Sequence, residues 1–337
     1  MHKALKILFA VMMVLLTALV IIFFGVKVPQ AKNITLGVNF SQMQAVSLGL
    51  DWHANYTALL SDLGAKNIKL VTNWDFVEGK KDSFYFNDID WQLAQAKKYN
   101  AKIVYVVGMK TGRWPECHVP GWASSISKQD QQDEILNYIV QVVNRYKNSS
   151  VITAWQAENE PFFNFGKCPW YDKNFLAKEV ALIKALDPSR PVIVSDTGEQ
   201  SLWFDAAKIG DIVGSTMYRK LWVGTYLGRQ WYFSFPFPPQ FYYYKAQLVK
   251  FLFNKTVICV ELQTEPWVFD IFTQVPLSEQ QKTMNPAQFK KNIEFAKQTG
   301  MDTFYLWGGE WWYWLKEKQY KPEMWNGAKE LFSKSNL

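Results

Sequence analysis

Two glutamates stand where acid–base chemistry could be done. Glu160 lies in Trp155-Gln156-Ala157-Glu158-Asn159-Glu160-Pro161, and Glu261 closes the apolar run Thr256-Val257-Ile258-Cys259-Val260. Each follows a strand-like segment that reads as buried and precedes an aromatic-rich loop. One carboxyl kept protonated beside another kept ionised can cleave a glycosidic bond without help. No cofactor and no metal are therefore expected. Other chemistries lack their residues. The only histidines are His2, His53 and His118, too few for a His-rich zinc site and poor ground for a Ser-His-Asp triad. No glycine-rich phosphate loop occurs, so hydride and phosphoryl transfer have no support.

Strand-like and helix-like segments alternate along the chain and must position these carboxyls. Strands are predicted at 34–40, 68–72, 103–107, 151–155, 192–195, 212–216, 257–260 and 303–307. Helical spacing is predicted over 53–63, 89–99, 130–146, 174–186, 241–253, 287–298 and 322–332, with stops such as Gly64 and Asp187-Pro188. Eight such units argue for an α/β fold, a (β/α)8 TIM barrel, with an open doubly wound sheet as the alternative. In a barrel, catalytic groups come from the C-terminal strand ends, and both glutamates meet that condition.

These residues resemble the retaining glycoside hydrolases of clan A, of the kind found in families 5, 39 and 42. The resemblance rests on Asn159-Glu160-Pro161 ending the fourth strand and Glu261 ending the seventh. The stretch Trp74-Asp75-Phe76-Val77-Glu78, followed by Phe84-Tyr85-Phe86 and Ile89-Asp90, is similar to that clan's strand-two loop. It implies Glu160 as acid/base and Glu261 as nucleophile, with Glu265 as rival for the latter role or a sugar ligand. It also implies Asn159 on the sugar 2-hydroxyl, Tyr218 donating to the nucleophile, and Trp307 as a stacking platform. A transglycosidase with the same residues, or a carbohydrate-binding barrel without turnover, stays open. The chain departs from family 5 at two positions: Lys69 stands where an arginine is usual, and Thr216 where a histidine is usual.

The chain holds 16 tryptophans, and many fall in predicted strand-end loops, including Trp74, Trp114, Trp122, Trp170 and Trp267. Flat rings suit the C–H faces of sugars, so Trp74, Trp114 and Trp267 are candidate substrate contacts. Phe233–Tyr244 is a second aromatic run, readable as a lid, a membrane-resting surface or an ordinary packed loop. The formal charge is +7; Lys3, Lys6, Lys27 and Lys32, with no acid before residue 33, leave +3 (7 − 4) for the rest. That is too mild to suggest nucleic acid. A carbohydrate is the expected partner and a monomer the expected state. Cys117 and Cys168 lie in loops expected on one face of the barrel and form a candidate disulfide, or else two loop thiols; Cys259 reads as buried. Residues 7–26 carry no charge, enough for a helix spanning about 30 Å. Residues 1–32 are read as a transmembrane anchor or signal with a short linker, and 33–337 as the barrel. The expected location is extracytoplasmic and membrane-anchored, or secreted after signal cleavage.

Overall fold

The computed structural model describes residues 2–335, apart from the side chains at 2, 19, 22–24 and 335. Its strands are β1 (Thr35–Ser41), β2 (Asn67–Val71), β3 (Lys102–Val107), β4 (Ile152–Ala157), β5 (Val192–Asp196), β6 (Ile212–Met217), β7 (Lys220–Tyr226), β8 (Arg229–Ser234), β9 (Thr256–Gln263) and β10 (Thr303–Trp307). Eight of them close into a parallel barrel in the order β1-β10-β9-β6-β5-β4-β3-β2, while β7 and β8 pair as a separate hairpin. This is the expected (β/α)8 architecture. Parallel neighbours require crossovers, and the helices supply them. Several start at caps that the sequence provides: Asp51 accepts from the His53 and Ala54 amides, Ser127 from Asp130, and Asp172 from Asn174 and Phe175.

The barrel has two apolar layers because strand side chains alternate. Val104, Ala154, Ile193, Ile258, Val260 and Tyr305 fill the interior. Residues such as Ile103, Tyr105, Trp155, Cys259 and Leu262 face outward into the core shared with the helices.

Strand β9 breaks the alternation. Ser215 pairs with Cys259 but the next residue, Thr216, pairs with Glu261; on the other side Phe304 pairs with Cys259 and Leu306 with Leu262. One extra residue therefore sits in β9 relative to both neighbours, a bulge next to the site. Ile258 and Val260 face inward while Cys259 and Leu262 face outward. Strict alternation would send Glu261 outward with Cys259. The bulge turns it inward. The Asn39 amide donates to the Val260 carbonyl at 3.1 Å, and also to Tyr305 and Leu306 carbonyls. Asn39 and Asn55, both in glycosylation-type triplets, are 1% and 0% exposed and so closed to modification in the folded state.

Some elements were not anticipated. The β7–β8 hairpin turns through Leu227-Gly228, both at positive φ (51° and 71°), the geometry of a two-residue hairpin turn. A helix over Gly309–Lys318 follows β10. The 233–244 run divides between the hairpin, a linker and the helix Pro239–Phe253; its rings pack on one another, with Phe237 and Phe241 at 4.3 Å, and Tyr242 is fully buried. Apart from Tyr242 the run is half-buried or exposed, with Phe233 44% exposed. A helix also forms over His2–Gly25, but among the described residues no helix is long and apolar enough to cross a membrane. Part of the expected span, the side chains at 19 and 22–24, lies outside the described residues.

Candidate active site

The loops at the C-terminal ends of the strands gather the candidate residues. Glu261 projects inward from the β9 bulge and is 2% exposed. Both its oxygens are held: Lys69 Nζ donates to Oε1 at 2.8 Å and Tyr218 Oη to Oε2 at 2.8 Å. Lys69 is itself fully buried and also donates to Asn159 Oδ1 at 3.1 Å. A buried lysine and a phenol are thus both aimed at this one carboxyl.

Glu160 sits on a sharp turn after β4, where Glu158 and Glu160 both adopt positive φ (58° and 44°). The turn is braced. Glu158 accepts from the Met109 and Lys110 amides, Ser195 Oγ accepts from the Glu160 amide, and Lys110 Nζ donates to the Glu160 and Phe163 carbonyls. Gly108, at φ 129°, admits this contact; a Cβ there would lie 2.5 Å from Glu158 Oε1. The Glu160 carboxyl receives one hydrogen bond, from Thr216 Oγ1 to Oε1 at 2.9 Å. Burial and the neighbouring Glu261 charge push its pKa up to about 8. Thr216 is the register partner of Glu261, so one β6 residue links the two carboxyls. The two glutamates thus sit in opposite environments.

The remaining expected contacts divide. Trp307 is 6% exposed, with the Arg113 guanidinium 4.1 Å over its ring. Glu265 is bound by Arg113, which also pairs with Glu310 at 2.9 Å. Burial still raises the Glu265 pKa to about 7 against the lowering effect of Arg113. Trp267 is half-buried and meets Tyr218 edge-on at 5.2 Å and Phe165 at 5.6 Å. Trp114 is 59% exposed at the rim, near Phe165. Trp74 requires a correction as a substrate contact. It is 0% exposed, packs against Trp122 and Tyr138, and donates to Glu78, because the short helix that carries it turns the ring into the core. A disulfide joins Cys117 to Cys168, tying the loop after β3 to the loop after β4. Sequence reasoning missed Arg113, Lys110, Ser195 and Glu116. None sits in a motif, and only the barrel brings them to the carboxyls.

A model of glycosyl hydrolase family 10 matches residues 30–185, under half of the chain. A probable mannan endo-1,4-beta-mannosidase A of Aspergillus niger is 39% identical over 71 residues, 20% of this chain and 17% of that protein. These matches support a glycoside hydrolase. Clan A stands, and the family model that matches is that of family 10. Solved structures are similar as well, these two among them. A beta-galactosidase from the haloarchaeon Halorubrum lacusprofundi has TM-score 0.58 and 14% identity, covering 90% of this chain and 58% of its own. Xylanase 10B from Thermotoga maritima has TM-score 0.59 and 14% identity, covering 90% and 95%. At that identity the likeness is one of fold. The chain spans about a sixth of the mannosidase and under two thirds of the galactosidase.

Proposed function

We propose that the chain is a retaining endo-β-1,4-glycosidase acting on a mannan- or xylan-like polysaccharide. The observation that carries the reading is the asymmetry of the pair. Glu261 has a cation and a phenol on its two oxygens, while Glu160 is held neutral up to about pH 8 by burial and the Glu261 charge. In the first step Glu261 attacks the anomeric carbon as the glycosidic C–O bond breaks. The Glu160 proton passes to the departing oxygen. Glu160, now ionised, takes a proton from water; that water displaces Glu261 from the glycosyl ester, releasing the sugar and restoring both groups. Retention calls for a close pair of carboxyls. Their shared neighbour Thr216 supports that arrangement. The β-1,4 polysaccharide is supported by the family 10 match and the mannosidase relative.

The test incubates the full chain with β-1,4-mannan, xylan and aryl β-glycosides, beside Glu160→Gln and Glu261→Gln. Sugar release by the parent, reduced about a thousandfold or more in both variants, is expected. Products longer than the donor would instead mark a transglycosidase. Sugar binding without turnover on any substrate would overturn hydrolysis in favour of a binding barrel.

A further inference from the structure

The loop after β3 carries a third carboxylate that the reaction above does not use. Glu116 is 9% exposed. Among the described residues nothing donates a hydrogen bond to its carboxyl and no cation pairs with it within 4 Å; the charges it senses are Lys110, Glu261, Arg113 and Lys69. Glu160 senses Glu116 in turn. Its oxygens are not among the sealed, unpartnered polar atoms. Glu116 is thus nine-tenths buried, without a protein donor, and reachable.

The backbone holds it there firmly. Its φ is 75°, a strained value for a residue with a Cβ. The Thr111 amide donates to the Glu116 carbonyl at 3.1 Å, the His118 amide to the Met109 carbonyl at 2.9 Å, and Lys110 bridges Cys117. The same loop sets Arg113 over Trp307, and the Asn159 amide donates to its Lys110 carbonyl at 2.5 Å. Gly166, from the loop after β4, lies against Glu116: a Cβ there would sit 2.5 Å from the Glu116 Cβ. Next to this contact the disulfide from Cys117 locks the two loops together. The carboxyl is therefore fixed on the flank of the site shared with the Glu160 loop.

A buried carboxylate without donors is unfavourable in the empty protein, because the nearby cations offset its desolvation only in part. A ligand that brings donors removes the penalty. Two adjacent hydroxyls of a pyranose match the two oxygens of one carboxylate. We propose that Glu116 is a substrate-binding residue that accepts hydrogen bonds from hydroxyls of a sugar unit seated beside Glu160. This rests on the glycosidase reading and names a contact beyond the catalytic pair. Burial holds the free group half-protonated near pH 7; hydroxyl donors favour its ionised form.

The experiment uses the full chain, Glu116→Gln and Glu116→Ala, with melting curves to show that both variants fold. KM and kcat are read on an aryl β-glycoside and on mannotetraose and xylotetraose. Binding of the tetraoses is measured by calorimetry in a Glu160→Gln background. Loss of charge-assisted hydrogen bonds is expected to raise KM for a tetraose and Kd about tenfold or more in Glu116→Ala, with a smaller rise in Glu116→Gln. A rise on the aryl glycoside as well places the contact on the sugar that is cleaved; a rise on the tetraoses alone places it on a neighbouring unit. Unchanged KM and Kd in both variants would overturn the proposal. A parent that binds tetraoses without cleaving them would remove the hydrolase reading alone, since weakened binding in Glu116→Ala would still support this contact. A parent that neither cleaves nor binds would remove both.

Discussion

Thr216 shows how a departure from a family pattern can be read through contacts. Its hydroxyl accepts from the Gly198 amide at 3.1 Å and donates to Glu160 at 2.9 Å. That bond favours the ionised form and so lowers the Glu160 pKa against the larger effect of burial. Glycosidic cleavage needs Glu160 protonated, so the rate should fall as pH rises through about 8. Thr216→Val removes a lowering interaction. The pKa should rise, and the alkaline limb of kcat/KM should move to higher pH; a limb that moves down or stays would count against Glu160 as the acid. Lys69 is the other departure. As a point charge it reaches both Glu261 and Asn159, whereas an arginine would offer a fixed fork. The identities of Lys69 and Thr216 were plain in the sequence. Their partners were not, because those partners lie on other strands.

The β9 bulge is the decisive element. Glu261 was expected to follow its strand; instead β9 runs on to Gln263 and the glutamate sits within it. A run of apolar residues reveals a buried strand but not an inserted residue, since a bulge depends on the register of both neighbours. Asn39 holds the bulge by donating to the Val260 carbonyl. Asn39→Leu keeps the volume but removes a donor to three buried carbonyls. It should destabilise the fold by about 1–3 kcal/mol in urea unfolding, and it should lower kcat through Glu261. An unchanged midpoint with full activity would show that the bulge stands without this support. The hairpin was missed for a simpler reason: Leu-Gly is a weak turn signal beside Asn-Gly, although Gly228 marks the turn.

The whole molecule carries many buried acids. Burial raises Glu116, Glu158, Glu199 and Glu265 to about 7 and Glu160 to about 8, from an ordinary 4.5. Between pH 4.5 and these values the folded chain binds protons that the unfolded chain has released. Stability from these groups is complete below 4.5 and is lost as pH rises through 7 to 8. Paired acids such as Asp172, lowered to about 2, act the other way and only below pH 4. Lys245, lowered to about 7 by burial, opposes the trend only above that pH. The melting temperature should therefore peak near pH 5 and fall towards pH 7.5. A steady rise over that window would mean that these carboxyls are less buried than described.

The alternation of eight apolar strands with amphipathic helices was determined by the sequence itself, because burial periodicity is a local property of the chain. So were the identities of the two glutamates and the pair of loop cysteines. Tertiary structure alone decided that Trp74 is core, that Arg113 covers Trp307, and that Glu116 lies without a donor beside Glu160. It also decided that Glu261 faces inward. Each of these depends on which strands become neighbours and in what register, and the free energy that selects among such pairings is spread over contacts between residues far apart in the chain.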